Sequence, residues 1–308
     1  TSELFKSNRL KPGDEVVTVS AGFPTTVNPI IQNGLIPVFV DINIGTYNVS
    51  PYLVDQAITD KTRAIFIAHT LGNPYDIDEI KEIAKLHNLW VIEDCADCIG
   101  AEFDGKKLGT FGNVSTTSFY PAHIMSVGEG GMVFTDSPMI AKAVRSFRDW
   151  GKDCWCAPGH DNTCGKRFGQ LDKGDLPDGF DHKYIFSHIG YNLKSTDLQA
   201  SIGLEQLKKL PEFLEDRREN WEYLRGRFKE LGLDKYFVLP TQLQKAKPAW
   251  FGFILTIREG AGFTRREIVS YLEENKIGSR NLFGGNLTKQ PAYIGLNWRI
   301  SDTVSGMP

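Results

Sequence analysis

Apolar runs alternate with amphipathic stretches over the first third of the chain. The runs "EVVTVS" (Glu15 to Ser20), "IPVFVDI" (Ile36 to Ile42), "AIFIAHT" (Ala64 to Thr70) and "LWVIEDC" (Leu89 to Cys95) are short, β-branched or aromatic-rich, and almost continuously apolar. Strands covered by helices on both sides have this texture, because neither face meets water. Between the last two runs Ile77, Ile80 and Ala84 fall on one helical face, with Asp76 placed to cap the helix and Glu79 to complete a capping box. Strands alternating with helices predict an α/β fold with a mostly parallel central sheet. A further strand-like run, "GMVFTD", follows a glycine-rich turn. After Gly190 the pattern turns helical from "TDLQAS" to "RFKELG", with a kink expected at Pro211. A strand-like "WFGFILTIR" and a helical "TRREIVSYLEEN" then suggest a small α+β unit. The expected division is a large domain over 1–215 and a smaller C-terminal domain over 216–308, with no internal repeat.

Composition narrows the partners rather than the fold. At 41% hydrophobic and 24% charged, the 308 residues describe an ordinary globular chain long enough for a large core and a second, smaller one. The net charge is −3 and the basic residues are scattered among acidic ones, which argues against nucleic acid or an anionic membrane and for a small metabolite. No window is apolar enough to cross a bilayer and the start lacks a signal-peptide layout, so a cytoplasmic protein is expected. The chain opens on polar "TSELFKSNRLKPGDE" and stops at "SDTVSGMP", and it reads as a fragment, shortened at both ends.

Ligands of parallel sheets sit beyond the carboxyl ends of the strands, which here carry "SAGFPTT", "HTLGNPYD", "EDCADC" and "SFYPAH". Asp94 is placed to hold a positive group or to cap its own loop. Phe23 offers a flat face to a planar heterocycle, or core packing. Ser118 can donate to a phosphate, and Gly128, Gly130 and Gly131 permit close backbone approach or simply a turn. His123 is either a proton-transfer group or an ordinary packed histidine.

The succession "VIEDCAD", "STTSFYPAHIMSVGEGGMVFTD" and "GYNLKSTDLQASIGLEQL" resembles the DegT/DnrJ/EryC1/StrS family of sugar aminotransferases, pyridoxal-phosphate enzymes of the aspartate aminotransferase fold (fold type I), over nearly the whole chain. The resemblance implies that Asp94 pairs with the protonated pyridine nitrogen, Phe23 stacks on the ring and Ser118 binds the phosphate. It also implies that Asn192 is supplied to a neighbouring subunit's cofactor, and hence a homodimer. A carboxylate that keeps the pyridine nitrogen protonated makes the ring an electron sink. His123 stands where family members carry the lysine that binds the cofactor covalently. Imidazole cannot make that link. Pyridoxamine phosphate can then be held noncovalently and condense with a ketone, leaving His123 as the base. This substitution resembles the sugar 3-dehydrases, which remove the C3 hydroxyl from a nucleotide-linked 4-keto-6-deoxyhexose.

The five cysteines separate two kinds of 3-dehydrase. "DCWCAPGHDNTCGKRFG" sets Cys154, Cys156 and Cys164 in a C-x-C-x7-C array, an unusual investment for disulfides in a cytosolic chain. The stretch from there to "DHKYIFSHIGYNLKSTD" is similar to the iron-sulfur 3-dehydrases acting on CDP-4-keto-6-deoxy-D-glucose in 3,6-dideoxyhexose synthesis. That similarity implies a 2Fe-2S cluster on four cysteines and an NADH-dependent iron-sulfur flavoprotein reductase as partner. Ala96 occupies the position of that group's fourth cysteine. Cys98, past the strand end, is the preferred replacement, Cys95 the second choice, and buried unreactive thiols the alternative for both. The competing expectations are an iron-free 3-dehydratase of the GDP-4-keto-6-deoxymannose type and a non-catalytic domain holding zinc.

Overall fold

The structure, a computed structural model, describes residues 9–157, 159–163, 165–169 and 174–301. The four apolar runs form β1 (Glu15–Val19), β2 (Ile36–Val40), β3 (Thr62–Ala68) and β4 (Trp90–Asp94). All four are parallel, and β1 lies between β2 and β3 with Val17 level with Val38 and Ile65. These three side chains are fully buried, as a sheet covered on both faces requires.

Helices α1 (Pro24–Gln32), α2 (Pro51–Gln56) and α3 (Ile77–Leu86) fill the crossovers. In α3 the predicted stripe of Ile77, Ile80 and Ala84 is buried and joins Val38, Val40, Ile65 and Ile67 in one core. Burying an Ile or Val side chain is worth about 1.5–3 kcal/mol, so truncating Ile80 in this stripe to alanine strikes the layer that holds helix to sheet. Asp76 caps α3 by accepting from the Glu79 backbone N–H, but the return bond from the Glu79 side chain is not formed. The box is half made.

Small antiparallel strands β5 (Glu102–Phe103) and β6 (Lys106–Lys107) lead into β7 (Val114–Ser118), which joins β4 in parallel, and β8 (Gly131–Phe134), which runs back antiparallel to β7. Every residue of β8, an edge strand of the sheet, is exposed, so among the described residues neither of its faces is fully covered. The close fit of the turn explains one of its glycines: a Cβ on Gly131 would lie 2.7 Å from the Thr117 carbonyl oxygen.

After α4 (Pro138–Arg148), the predicted long helix is α5 (Asp197–Glu230), started by a complete Thr196/Gln199 capping box. It runs through Pro211 and through the expected 215/216 division, anchored by buried Leu214 and Trp221. Of "WFGFILTIR" only Thr256–Ile257 is strand (β11), paired with β9 (Phe237–Val238), while β10 (Ala246–Lys247) pairs with β5. At its start the run is tied to the loop after β3 instead: the Phe251 N–H donates to the Leu71 carbonyl, as the N–H of Ala249 just before the run does to that of Gly72. Following α6 (Arg265–Glu274), β12 (Arg299–Ile300) pairs with β2 and completes a seven-stranded sheet of order β12-β2-β1-β3-β4-β7-β8.

Candidate active site

The carboxyl ends of β1, β3, β4 and β7 lie side by side, so the loops that follow them form one rim. Asp94, the last residue of β4, is buried. One carboxylate oxygen accepts a 2.6 Å hydrogen bond from the Thr26 hydroxyl on α1, and the other accepts the Ala96 N–H at 3.0 Å. One oxygen thus caps its own loop, and among the described residues no cation lies within ion-pair distance of the carboxylate.

His123 follows β7 in the loop "SFYPAH". Its Nε2 is 3.3 Å from an Asp97 carboxylate oxygen, and its Nδ1 is buried. Tyr120 and Phe251 both meet the imidazole edge-on, each at 5.6 Å. Burial lowers its pKa and the Arg217 charge acts in the same sense, outweighing the Ser118 backbone carbonyl and the Asp94 charge, so at neutral pH the ring is neutral and basic. Asp97 is shifted the other way. Burial and the neighbouring Asp94 charge hold its carboxyl up to about 7, against the pull of Arg217.

The other predicted residues fall on or outside this rim. Phe23 directly precedes α1 with half its surface exposed and one edge against Phe283. Ser118 ends β7, where its Oγ accepts the Tyr120 N–H at 3.1 Å. Asn192 is exposed on a segment bridged to Asp149, with its Oδ1 accepting from Lys194 at 2.8 Å. Among the described residues it makes no hydrogen bond with Phe23, Asp94, Ser118 or His123.

A buried carboxylate without a described cation, a half-exposed phenyl ring, a hydroxyl at a strand end and a neutral imidazole fit a flat cationic heterocycle carrying a phosphate. Asp94, Phe23, Ser118 and His123 are the residues that would hold it.

Sequence reasoning missed Thr26, Asp97, Arg217 and the pair His69–Glu93. Thr26 and Asp97 sit inside quoted strand-end segments, which was the available signal. Arg217 comes from the middle of α5 and carried none. His69 is fully buried, stacked on Tyr75 at 4.1 Å, with Nε2 3.2 Å from Glu93, and Glu93 also accepts the N–H groups of Gly109, Phe111 and Gly112. Donor atoms of His69, Glu93 and Cys95 lie within 4.8 Å of one another. Glu93 is already saturated by these bonds, and the trio acts as a buried ion-pair network that braces the end of β4.

The cysteines fall into two groups. Cys95 and Cys98 are buried with Ala101, Ile124, Leu214 and Ala249, and their thiols hydrogen-bond each other. Cys154 and Cys156 are half-buried and line a cavity of about 1130 Å³, together with Trp150, Trp155 and His188. The Thr163 hydroxyl donates to the Cys156 sulfur at 3.1 Å. Cys164 lies outside the described residues. Among those residues, then, four thiols are not assembled around one centre.

The chain is similar to proteins of known kind over most of its length. It is 54% identical over 300 residues to the lipopolysaccharide biosynthesis protein RfbH of Salmonella typhimurium, covering 97% of this chain and 68% of that protein. It is 53% identical over 306 residues to the dTDP-4-dehydro-2,6-dideoxy-D-glucose 3-dehydratase of Saccharopolyspora spinosa, covering 99% and 65%. The chain thus spans about two thirds of the length of these relatives. Among solved structures it superposes on the Escherichia coli GDP-4-keto-6-deoxy-D-mannose-3-dehydratase with bound hydrated PLP, with a TM-score of 0.84 and 32% identity over 98% of this chain and 75% of that one. The fold is accordingly that of the fold type I pyridoxal-phosphate enzymes. Residues 4–303 match the description "DegT/DnrJ/EryC1/StrS aminotransferase family", and together with the strand-end site this places the chain in that family.

Proposed function

We propose that this protein is a pyridoxamine/pyridoxal-phosphate-dependent 3-dehydratase of a nucleotide-linked 4-keto-6-deoxyhexose. The observation that carries the reading is a neutral histidine, His123, on the rim beside Asp94 and Asp97, in place of the lysine that an aminotransferase needs. The kinds of reaction named for two of its relatives support it.

When bound, the cofactor would supply an amine for the sugar ketone and a ring that accepts electrons. Asp94 would keep the pyridine nitrogen protonated, with its carboxylate fixed by Thr26. Phe23 would cover the ring, and Ser118 would donate to the phosphate. His123 would take a proton from the cofactor's methylene carbon, which its lowered pKa allows at neutral pH. Asp97, 3.3 Å from Nε2, orients the imidazole.

Replacing His123 by Asn is expected to cut turnover by about 100- to 10,000-fold with cofactor still bound. His123→Lys is expected to create a covalent cofactor link, seen as a shifted absorption band. Retained dehydration in His123→Asn sinks the reading.

The dimer is part of this proposal. Ile189, Tyr191, Leu193, Leu198 and Leu204 are exposed apolar residues around Asn192 and the start of α5, and a second copy supplies cover for them.

A finer reading adds a 2Fe-2S cluster, a flavoprotein reductase partner and CDP-4-keto-6-deoxy-D-glucose as substrate. The observation favouring it is Cys154 and Cys156 on a large cavity, with Cys164 close by in sequence. Anaerobically purified protein with stoichiometric iron and acid-labile sulfide is its expected signature. Protein with no metal leaves the iron-free dehydratase, and protein with stoichiometric zinc favours the non-catalytic zinc-holding domain.

A further inference from the structure

Two buried donors on α5 have no acceptor among the described residues, Nη1 of Arg217 and Nε1 of Trp221. Four residues apart, they share one face of the helix. Trp221 stacks on Trp250 at 4.1 Å and 7°, and the Arg217 guanidinium lies over the Phe251 ring at 5.8 Å. Phe251 is also the ring that meets His123, so Arg217 faces the candidate base across one aromatic side chain.

The wall they form is held in an unfavourable backbone shape. Trp250 is left-handed (φ 42°) and so is Leu71 (φ 49°), and the Phe251 N–H donates to the Leu71 carbonyl. Strain at two non-glycine residues persists only where surrounding contacts enforce it, and it gathers at ligand sites. A buried guanidinium donor left unpaired is likewise a cost that a native fold retains for a reason.

Resting on the dehydratase reading, we propose that Arg217 grips the oxygen that leaves C3 of the hexose, donating to it from Nη1. His123 acts on the carbon that bears the cofactor amine, that nitrogen is joined to hexose C4, and C3 is the next atom along. The C3 oxygen therefore belongs among the groups that surround His123. Asp97 stands at Nε2, and Tyr120 and Phe251 present ring edges, which leaves Arg217 as the cation with an empty donor. When the C3–O bond breaks, its electron pair departs with the oxygen, and a charge-assisted hydrogen bond stabilises the negative charge that develops. His123 then returns the proton it took, and the oxygen leaves as water. The guanidinium keeps its own protons, and nothing is oxidised or reduced.

The test is equilibrium binding by calorimetry to protein loaded with pyridoxal phosphate, which has no amine and cannot turn over. The probes are CDP-4-keto-6-deoxyglucose and its 3-deoxy analogue. Arg217→Gln is expected to bind the hydroxylated sugar about 10- to 100-fold more weakly than wild type and the 3-deoxy analogue equally well. Arg217→Lys is expected to fall between the two, and it carries the comparison if thermal melting shows the Gln variant misfolded. Equal weakening for both sugars, or for neither, overturns the assignment. Wild-type protein that binds neither these sugars nor their GDP- and dTDP-linked counterparts brings down the dehydratase reading, and the anchor with it.

Discussion

Asp97 and His123 lie 3.3 Å apart, with pKa values moved in opposite directions by their surroundings. Such divergence separates a base from an acid at one pH. It also affects stability. Because the folded-state pKa of Asp97, about 7, lies above its ordinary value of 3.8, the folded protein binds more protons than the unfolded chain between those two pH values. Stability therefore falls as pH rises through that window. Asp97→Asn removes the cost, so the variant is expected to melt higher than wild type at pH 8, by on the order of 1–4 kcal/mol. It is expected to gain little at pH 4, and to turn over more slowly. Melting curves at the two pH values check this, and a gain of equal size at both contradicts it. Asp94, Phe23, Ser118 and His123 were legible at this scale because each ends or follows a strand. Asp97 was not singled out, since its character comes from burial beside Asp94, which no spacing reports.

At the scale of elements, the end of β4 is braced by a buried ion pair. Burial works to lower the His69 pKa, but hydrogen bonds with Cys95 and Glu93 outweigh it and hold it up to about 9. Burial likewise works against the Glu93 carboxylate, and the bonds from His69 and from the Gly112 and Gly109 backbone keep it below its ordinary value. A histidine whose folded pKa is raised contributes stability that is complete below its ordinary value of 6.5 and lost as pH rises to about 9. The contribution is on the order of 3 kcal/mol at most. Wild-type protein is thus expected to lose several degrees of melting temperature between pH 6 and 9.5, and His69→Gln to melt lower at pH 6 with a much flatter profile. A slope unchanged in the variant would place the pH dependence elsewhere. The strands themselves were plain from their apolar runs. The pattern "WFGFILTIR" misled, because the start of the run is tied through the Phe251 N–H to the Leu71 carbonyl, a contact far away in sequence.

For the whole molecule, the exposed apolar residues around Asn192 fit a site completed across a dimer. Mixing the inactive variants Asn192→Ala and His123→Asn tests this. If Asn192 serves the partner's cofactor, each mixed dimer holds one site with both residues intact, and refolded mixtures are expected to recover about a quarter of wild-type activity. No recovery, with mixed dimers shown by mass, assigns Asn192 to its own subunit. The central sheet, too, is completed from a distance, by β12 near the described C-terminal end pairing with β2.

By itself the sequence determined what depends on neighbours along the chain: strand and helix identity from periodicity, the Asp76 cap of α3, and the row of reactive residues at the strand ends. It also carried the exchange of lysine for histidine, since a missing amine is a matter of composition at one position. Only the tertiary structure decided which groups share a dielectric environment. The opposed pKa values of Asp97 and His123, the empty donor of Arg217, the brace of His69 on Glu93 and the separation of Cys95 and Cys98 from the cavity of Cys154 and Cys156 all follow from burial. Burial is set by segments that meet in space from distant parts of the chain, and a linear pattern does not record those meetings.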